Sequence, residues 1–186
     1  MRKLFLVCGL FLVFSISATA QEYPRAEVFG GYSYLHTNFV GTGFNFSGAS
    51  GSIAFNPSRW WGLVGDVGGY RNKDFGVSTT LLTYMFGPRF SYRSNGRVTA
   101  FAQALFGAGH VNASFIGISA SENAFAAAVG GGIDAKIHSH FAFRVIQAEY
   151  LLTRFNDGSN NRQNSVRVST GLVYRWGSGG GGGSNK

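Results

Sequence analysis

Residues 166 to 176 change character at every second position. Val166, Val168, Leu172, Tyr174 and Trp176 are apolar, whereas Arg167, Ser169, Gly171 and Arg175 are polar or small. A helix repeats its faces every 3.6 residues, so strict two-residue alternation specifies an extended strand with one apolar and one polar face. The aromatic pair at its end, Tyr174 and Trp176, has the amphipathic chemistry of side chains that settle at a membrane–water boundary. An amphipathic strand of a soluble barrel or sandwich alternates in the same way, so the rest of the chain has to separate the two.

The 186 residues suit one domain. Only 13% are charged, against about 25% in soluble domains. Aromatic residues reach 16%, and there are 28 glycines but 3 prolines. Beyond the N-terminus no apolar run is long enough to span a bilayer as a helix. Barrel strands expose an apolar residue only at every second position, so a mean hydropathy of +0.04 is compatible with a membrane protein. Met1 to Ala20 has the order of a secretory signal peptide: Arg2 and Lys3, an apolar stretch from Leu4 to Phe14, then Ala18-Thr19-Ala20 before Gln21. Residues 21–176 are the expected barrel and 177–186 a flexible Gly/Ser-rich tail. The single cysteine, Cys8, lies in the leader, so neither disulfides nor a Cys metal site are expected in the exported chain. The formal charge of +8 comes from scattered residues without a Lys/Arg cluster, which argues against a nucleic-acid partner.

Seven further segments suit the two-faced pattern of the last one. They run over residues 25–36, 44–55, 60–71, 79–92, 97–112, 124–137 and 141–153. Glu27, Asp66, Arg89, Gln103, Asp134, Lys136, Glu149, Arg167 and Arg175 fall on the polar faces. Two positions resist the pattern. Gly87-Pro88 predicts a bulge, because proline removes a ladder donor. Arg144 breaks the parity of its segment, so it either snorkels to the near interface or marks a bulge. Tight turns near residues 57, 95 and 139 alternate with longer loops, Thr37–Gly43, Asn72–Ser78, Ala113–Asn123 and Arg154–Asn164. That rhythm predicts an all-β, eight-stranded antiparallel up-and-down transmembrane β-barrel, with short turns and both termini periplasmic. Strand direction then places Phe55, Trp61, Phe90, Tyr174 and Trp176 at the inner rim and Tyr34, Phe125 and Tyr150 at the outer rim, as two aromatic girdles.

An eight-stranded barrel is just wide enough for its own side chains to fill. The inward charges must therefore pair, and a lumen-plugging salt-bridge network is expected, with Arg89 and Arg167 facing Glu149 or Asp66. A narrow passive-diffusion or transport barrel is the rival reading. His138-Ser139-His140 lacks the further ligands of a metal site. His110, Ser114 and Glu122 are the one group comparable to a lipid hydrolase triad. No cofactor, metal site or catalytic residue is expected, and the protein is read as a non-enzyme.

With the strands in place, the chain resembles the small outer-membrane barrels of the OmpA/OmpX type, the outer membrane protein beta-barrel domain group. Val28 to Tyr34, Gly87-Pro88-Arg89 and the closing segment carry the resemblance, over about Arg25 to Trp176. In that family a C-terminal signal is read by the barrel-assembly machinery; here Ser169, Gly171, Tyr174 and Trp176 match it. OmpA continues into a peptidoglycan-binding domain, which is not expected after Trp176. The resemblance implies a Gram-negative outer-membrane location, a lipid environment, a monomer, and a structural or surface-interaction role in which the loops meet extracellular ligands or surfaces.

Overall fold

The computed structural model describes residues 23–39, 42–74, 77–94, 97–115, 118–154 and 163–177. The expected signal peptide and nearly all of the tail lie outside them, as do residues 155–162. The described chain forms eight strands: β1 (Ala26–Phe39), β2 (Thr42–Phe55), β3 (Trp61–Asp74), β4 (Val77–Ser94), β5 (Val98–Phe115), β6 (Ile118–Lys136), β7 (Phe141–Thr153) and β8 (Gln163–Trp176). Each pairs antiparallel with its neighbours in chain order, and β1 pairs with β8 from Ala26↔Trp176 to Asn38↔Asn164, closing an up-and-down barrel. Closure leaves no strand edge unpaired, the condition for placing a sheet in hydrocarbon.

The two faces are distributed opposite to those of a soluble domain. Ile53 is 64% exposed and Phe86 71% on the outer wall, whereas Arg144 and Arg167 are 0% exposed inside. The inner face also holds apolar residues. Leu35, Phe46, Leu81, Met85, Leu105 and Leu151 cluster in the lumen with Tyr70. β5 turns Thr99, Phe101, Gln103 and Leu105 inward and Val98 and Phe106 outward.

The strands are longer than expected, and the loops correspondingly shorter. β5 and β6 stay paired as far as Phe115↔Ile118, β1 and β2 as far as Phe39↔Thr42, and β3 and β4 as far as Asp74↔Val77. Most of the stretches read as loops at 37–43, 72–78 and 113–123 are therefore ladder. A tilted span needs about 9–11 residues, while β5 and β6 have 18 and 19. Beyond the bilayer the backbone pairing persists, but no apolar outer face is required. Small and polar residues can then continue a strand without alternating.

The bulge lies in β7. Its register shifts against β8 between Arg144 and Gln147 and against β6 at Ile133/Asp134, which leaves Val145 and Ile146 both on the outer wall. Around Pro88 the register does not shift: β4–β5 pairing omits Gly87 and Pro88, then resumes in step. Pro88 is exposed on a strand whose register is unbroken, contrary to the bulge expected there.

At the closing seam Gly31 stands opposite Gly171. A Cβ on Gly31 would lie 2.1 Å from the Thr170 carbonyl oxygen, whereas one on Gly30 would meet nothing within 4 Å. Gly31→Val should therefore abolish closure, seen as loss of heat-modifiable gel mobility after refolding in detergent. Gly30→Ala should retain it.

Candidate functional site

Seven strands and one turn send polar side chains into the lumen to form one connected network. At the end near the Asn56 turn, Glu27 of β1 accepts from Arg93 Nη2 at 3.0 Å and Asn56 Nδ2 at 3.1 Å. Arg89 and Arg175 stand 3.8 and 3.9 Å from the same carboxylate. Asp134 of β6 receives Arg144 through Nε at 2.8 Å and Nη2 at 3.2 Å, a two-point clamp, and Arg175 Nη2 at 3.1 Å. Glu149 of β7 receives Arg167 Nε at 2.7 Å, with Gln103 and Gln147 each donating at 2.8 Å. Arg167 Nη1 crosses the lumen to Asp66 at 2.8 Å and to the Tyr70 hydroxyl at 3.1 Å. Two amides join these groups: Arg89 Nε donates to Gln103 Oε1 at 2.9 Å, and Arg144 Nη1 to Gln147 Oε1 at 2.6 Å.

Four carboxylates, Glu27, Asp66, Asp134 and Glu149, thus face five guanidiniums, Arg89, Arg93, Arg144, Arg167 and Arg175. Aromatic faces support part of the cationic excess. Arg144 lies 4.2 Å from the Phe29 ring and 4.4 Å from Phe101, and Arg89 lies 4.4 Å from Phe101; such contacts gain strength when desolvated. A hydroxyl chain, Ser50–Ser33–Ser169, runs across β2, β1 and β8 at 2.5 and 2.6 Å. Beyond the network the apolar cluster around Leu35, Leu105 and Leu151 fills the lumen. Near it lies a cavity of about 60 Å³ lined by Thr37, Phe46, Leu81, Val111, Leu151 and Ser165.

The geometry brings together Glu27, Asp66, Arg89, Gln103, Asp134, Glu149, Arg167 and Arg175. It does not include Lys136. That residue has inward parity but ends β6, where the strand leaves the lumen, and its side chain is exposed at the rim. Arg144, Arg93, Gln147, Tyr70 and Asn56 belong to the network without having been assigned to it. The parity break at Arg144 was the available signal. The bulge beside it restores an inward direction, and full burial removes the snorkelling alternative. Arg93 shares the parity of Arg89 and Ser91, but the expected strand ended one residue before it.

The aromatic residues occupy both ends of the outer wall. Phe55, Trp61, Phe90 and Trp176 are exposed at one rim, where Ala26 pairs with both Phe55 and Trp176 and Trp61 pairs with Phe90. Tyr174 is half-buried between Trp176 at 4.4 Å and Phe141 at 5.0 Å. Tyr34, Phe125 and Tyr150 are exposed towards the other end. Ser169 is buried on the inner face, and Gly171 sits at the seam opposite Gly31.

The possible hydrolase group lies along the β5–β6 ladder. His110 pairs with Asn123 and its Nδ1 lies 2.8 Å from Asn123 Oδ1, whereas Glu122 pairs with Val111. Among the described residues no three His, Cys, Asp or Glu side chains gather as a metal site.

The sequence matches the family described as outer membrane protein beta-barrel domain over residues 6–175. No curated protein sequence matches it significantly. Among solved structures, the Neisserial surface protein A is similar with a TM-score of 0.72 at 11% identity, covering 84% of this chain and 100% of that one. Ail, the attachment invasion locus protein of Yersinia pestis, gives 0.60 at 23% identity over 83% and 99%. OprG from Pseudomonas aeruginosa gives 0.53 at 11% identity over 84% and 97%. At these identities the likeness concerns the fold.

Removing one member of a buried ion pair leaves the other uncompensated. Glu149→Ala should lower stability by about 3–5 kcal/mol, read as a shift of the urea unfolding midpoint followed by tryptophan fluorescence.

Proposed function

Because the chain belongs to the outer membrane protein beta-barrel domain family, we propose that it is a non-enzymatic outer-membrane pillar, filled by its own side chains, whose hairpins serve a structural or surface-interaction role. The observation that carries this reading is the lumen network. Arg167 links Glu149 on β7 to Asp66 on β3, and Arg175, Arg89 and Arg93 converge on Glu27. A solute path would have to break several buried ion pairs at once, and each is costly to separate in a low-dielectric interior.

On this reading the chain is exported behind residues 1–20, and both termini face the periplasm. The closing segment with Ser169, Gly171, Tyr174 and Trp176 is the mark that the assembly machinery reads. The aromatic rims meet the two membrane interfaces, and the barrel works as a monomer. The hairpin ends around 37–43, 72–78 and 113–123, with residues 154–164, face outward. They offer the surface for extracellular ligands or other surfaces.

Planar-bilayer recording separates this pillar from a passive-diffusion barrel. Wild type and Glu149→Ala should both lack long-lived conductance steps, since the remaining side chains still fill an eight-stranded lumen. Large, stable steps from wild type would contradict the reading.

A further inference from the structure

Outside the lumen, one region of the wall departs from the convex apolar surface that a barrel presents to lipid. A groove of about 520 Å³ runs across β1 to β4, lined by Val28, Gly51, Gly65, Val67, Tyr84 and Phe86. Its floor is glycine, and a Cβ on Gly65 would meet nothing within 4 Å. Towards the hairpin ends of the same strands lies a polar patch. Ser47 of β2 pairs with both Tyr34 of β1 and Arg71 of β3. Arg71, Ser47 and Asn45 are exposed there, and Arg71 has no ion-pair partner among the described residues.

Two neighbours orient the donors of this patch. Tyr32 donates its hydroxyl proton to Ser47 Oγ at 3.0 Å, which leaves the serine O–H free to donate outward. His36 Nδ1 lies 2.7 Å from Asn45 Oδ1, which leaves the Asn45 amide N–H₂ free. The arrangement is a guanidinium, a hydroxyl and an amide, all donors, on one outward face.

We infer that the outer wall of β1–β4 binds an anionic, phosphate-bearing lipid of the outer leaflet, its headgroup held by Arg71, Ser47 and Asn45 and one acyl chain lying in the glycine-floored groove. His36 and Tyr32 are positioning residues. The dimensions agree with this occupant. Arg71 and Gly65 are six residues apart on β3, about 20 Å along the strand. A tilt of about 35–45° turns that into about 15 Å of depth, one leaflet of a core about 30 Å thick.

Charge selects the headgroup. Every described side-chain carboxylate, Glu27, Asp66, Asp134 and Glu149, is buried in the lumen. The formal charge on the described outer surface is therefore basic, with Arg59, Arg71, Arg97, Lys136 and Arg154 exposed. A second copy fits less well. Copies in one membrane share orientation, so a two-fold contact through this wall would bring the Arg71 patch against itself.

The inference rests on the membrane placement proposed above. Its test is native mass spectrometry of the full chain refolded in detergent micelles, with dioleoyl phosphatidylglycerol and dioleoyl phosphatidylcholine added in equal amounts. Wild type should retain one phosphatidylglycerol in preference. Arg71→Gln should reduce that preference about fivefold, the usual effect of one basic residue at an anionic surface. Gly65→Leu should lower retention of both lipids while heat-modifiable mobility persists, because the added side chain enters open space. Equal retention of the two lipids by a heat-modifiable wild type would overturn this inference alone. So would unchanged retention in Gly65→Leu, or a lipid-free dimer that Gly65→Leu dissociates. Wild type without heat-modifiable mobility would overturn the membrane placement and this inference with it.

Discussion

The lumen of an eight-stranded barrel has room for side chains and little else. A charge turned into it loses its hydration and must recover that stabilisation from a counter-charge or a donor within reach. This condition organises the interior. Arg167 meets Glu149, Asp66 and Tyr70, and Arg144 grips Asp134 with two nitrogens while its flat faces rest near Phe29 and Phe101. Gln103 and Gln147 present carbonyl oxygens to arginines and amide nitrogens to Glu149, which joins pairs into a network. The same condition explains why guanidinium prevails over ammonium inside. A planar five-donor fork can serve two or three acceptors at once, whereas Lys136 carries a compact, strongly hydrated charge and lies at the rim.

The outer wall obeys the complementary rule. Closed pairing satisfies the backbone groups that lipid cannot, and the wall then needs only apolar side chains with aromatic rings at the two boundaries. With Glu27, Asp66, Asp134 and Glu149 inside, the charged side chains described as exposed are basic, so the internal network also determines how the exterior meets anionic surroundings. The long β5–β6 hairpin continues this construction beyond the span, where pairing alone sustains it.

Much of this construction was legible in the sequence because a strand repeats every two residues and hydrocarbon enforces the repeat. The strand count, the order of connections and the side on which Glu27, Asp66, Arg89 and Glu149 lie all follow from parity. What parity missed lies where its physical cause weakens. At residues 72–74, 77–78, 113–115 and 118–123 the strands continue with no apolar medium beside them, so small and polar residues looked like loops. At Arg144 a bulge puts Val145 and Ile146 on one side, a change of phase that marks its place without giving its direction. Around Pro88 the missing donor could be read, but the absence of a register shift depended on neighbouring strands that stayed in step. Of the expected facings, Arg167 does meet Glu149 and Asp66, whereas Arg89 faces Glu27 instead, because closure and strand register, which parity along one strand does not carry, decide which acid stands across the lumen.

The central claim is that buried ion pairs, rather than the separate polarity of their members, hold the lumen closed. A double-mutant cycle on Arg144 and Asp134, a buried two-point clamp, tests it directly through urea unfolding of the refolded barrel. Arg144→Met and Asp134→Leu should each cost about 3–5 kcal/mol, and the double variant should recover at least about 1.5 kcal/mol of the summed loss. Losses that add to within about 0.5 kcal/mol would contradict the claim and reduce the network to independent polar residues.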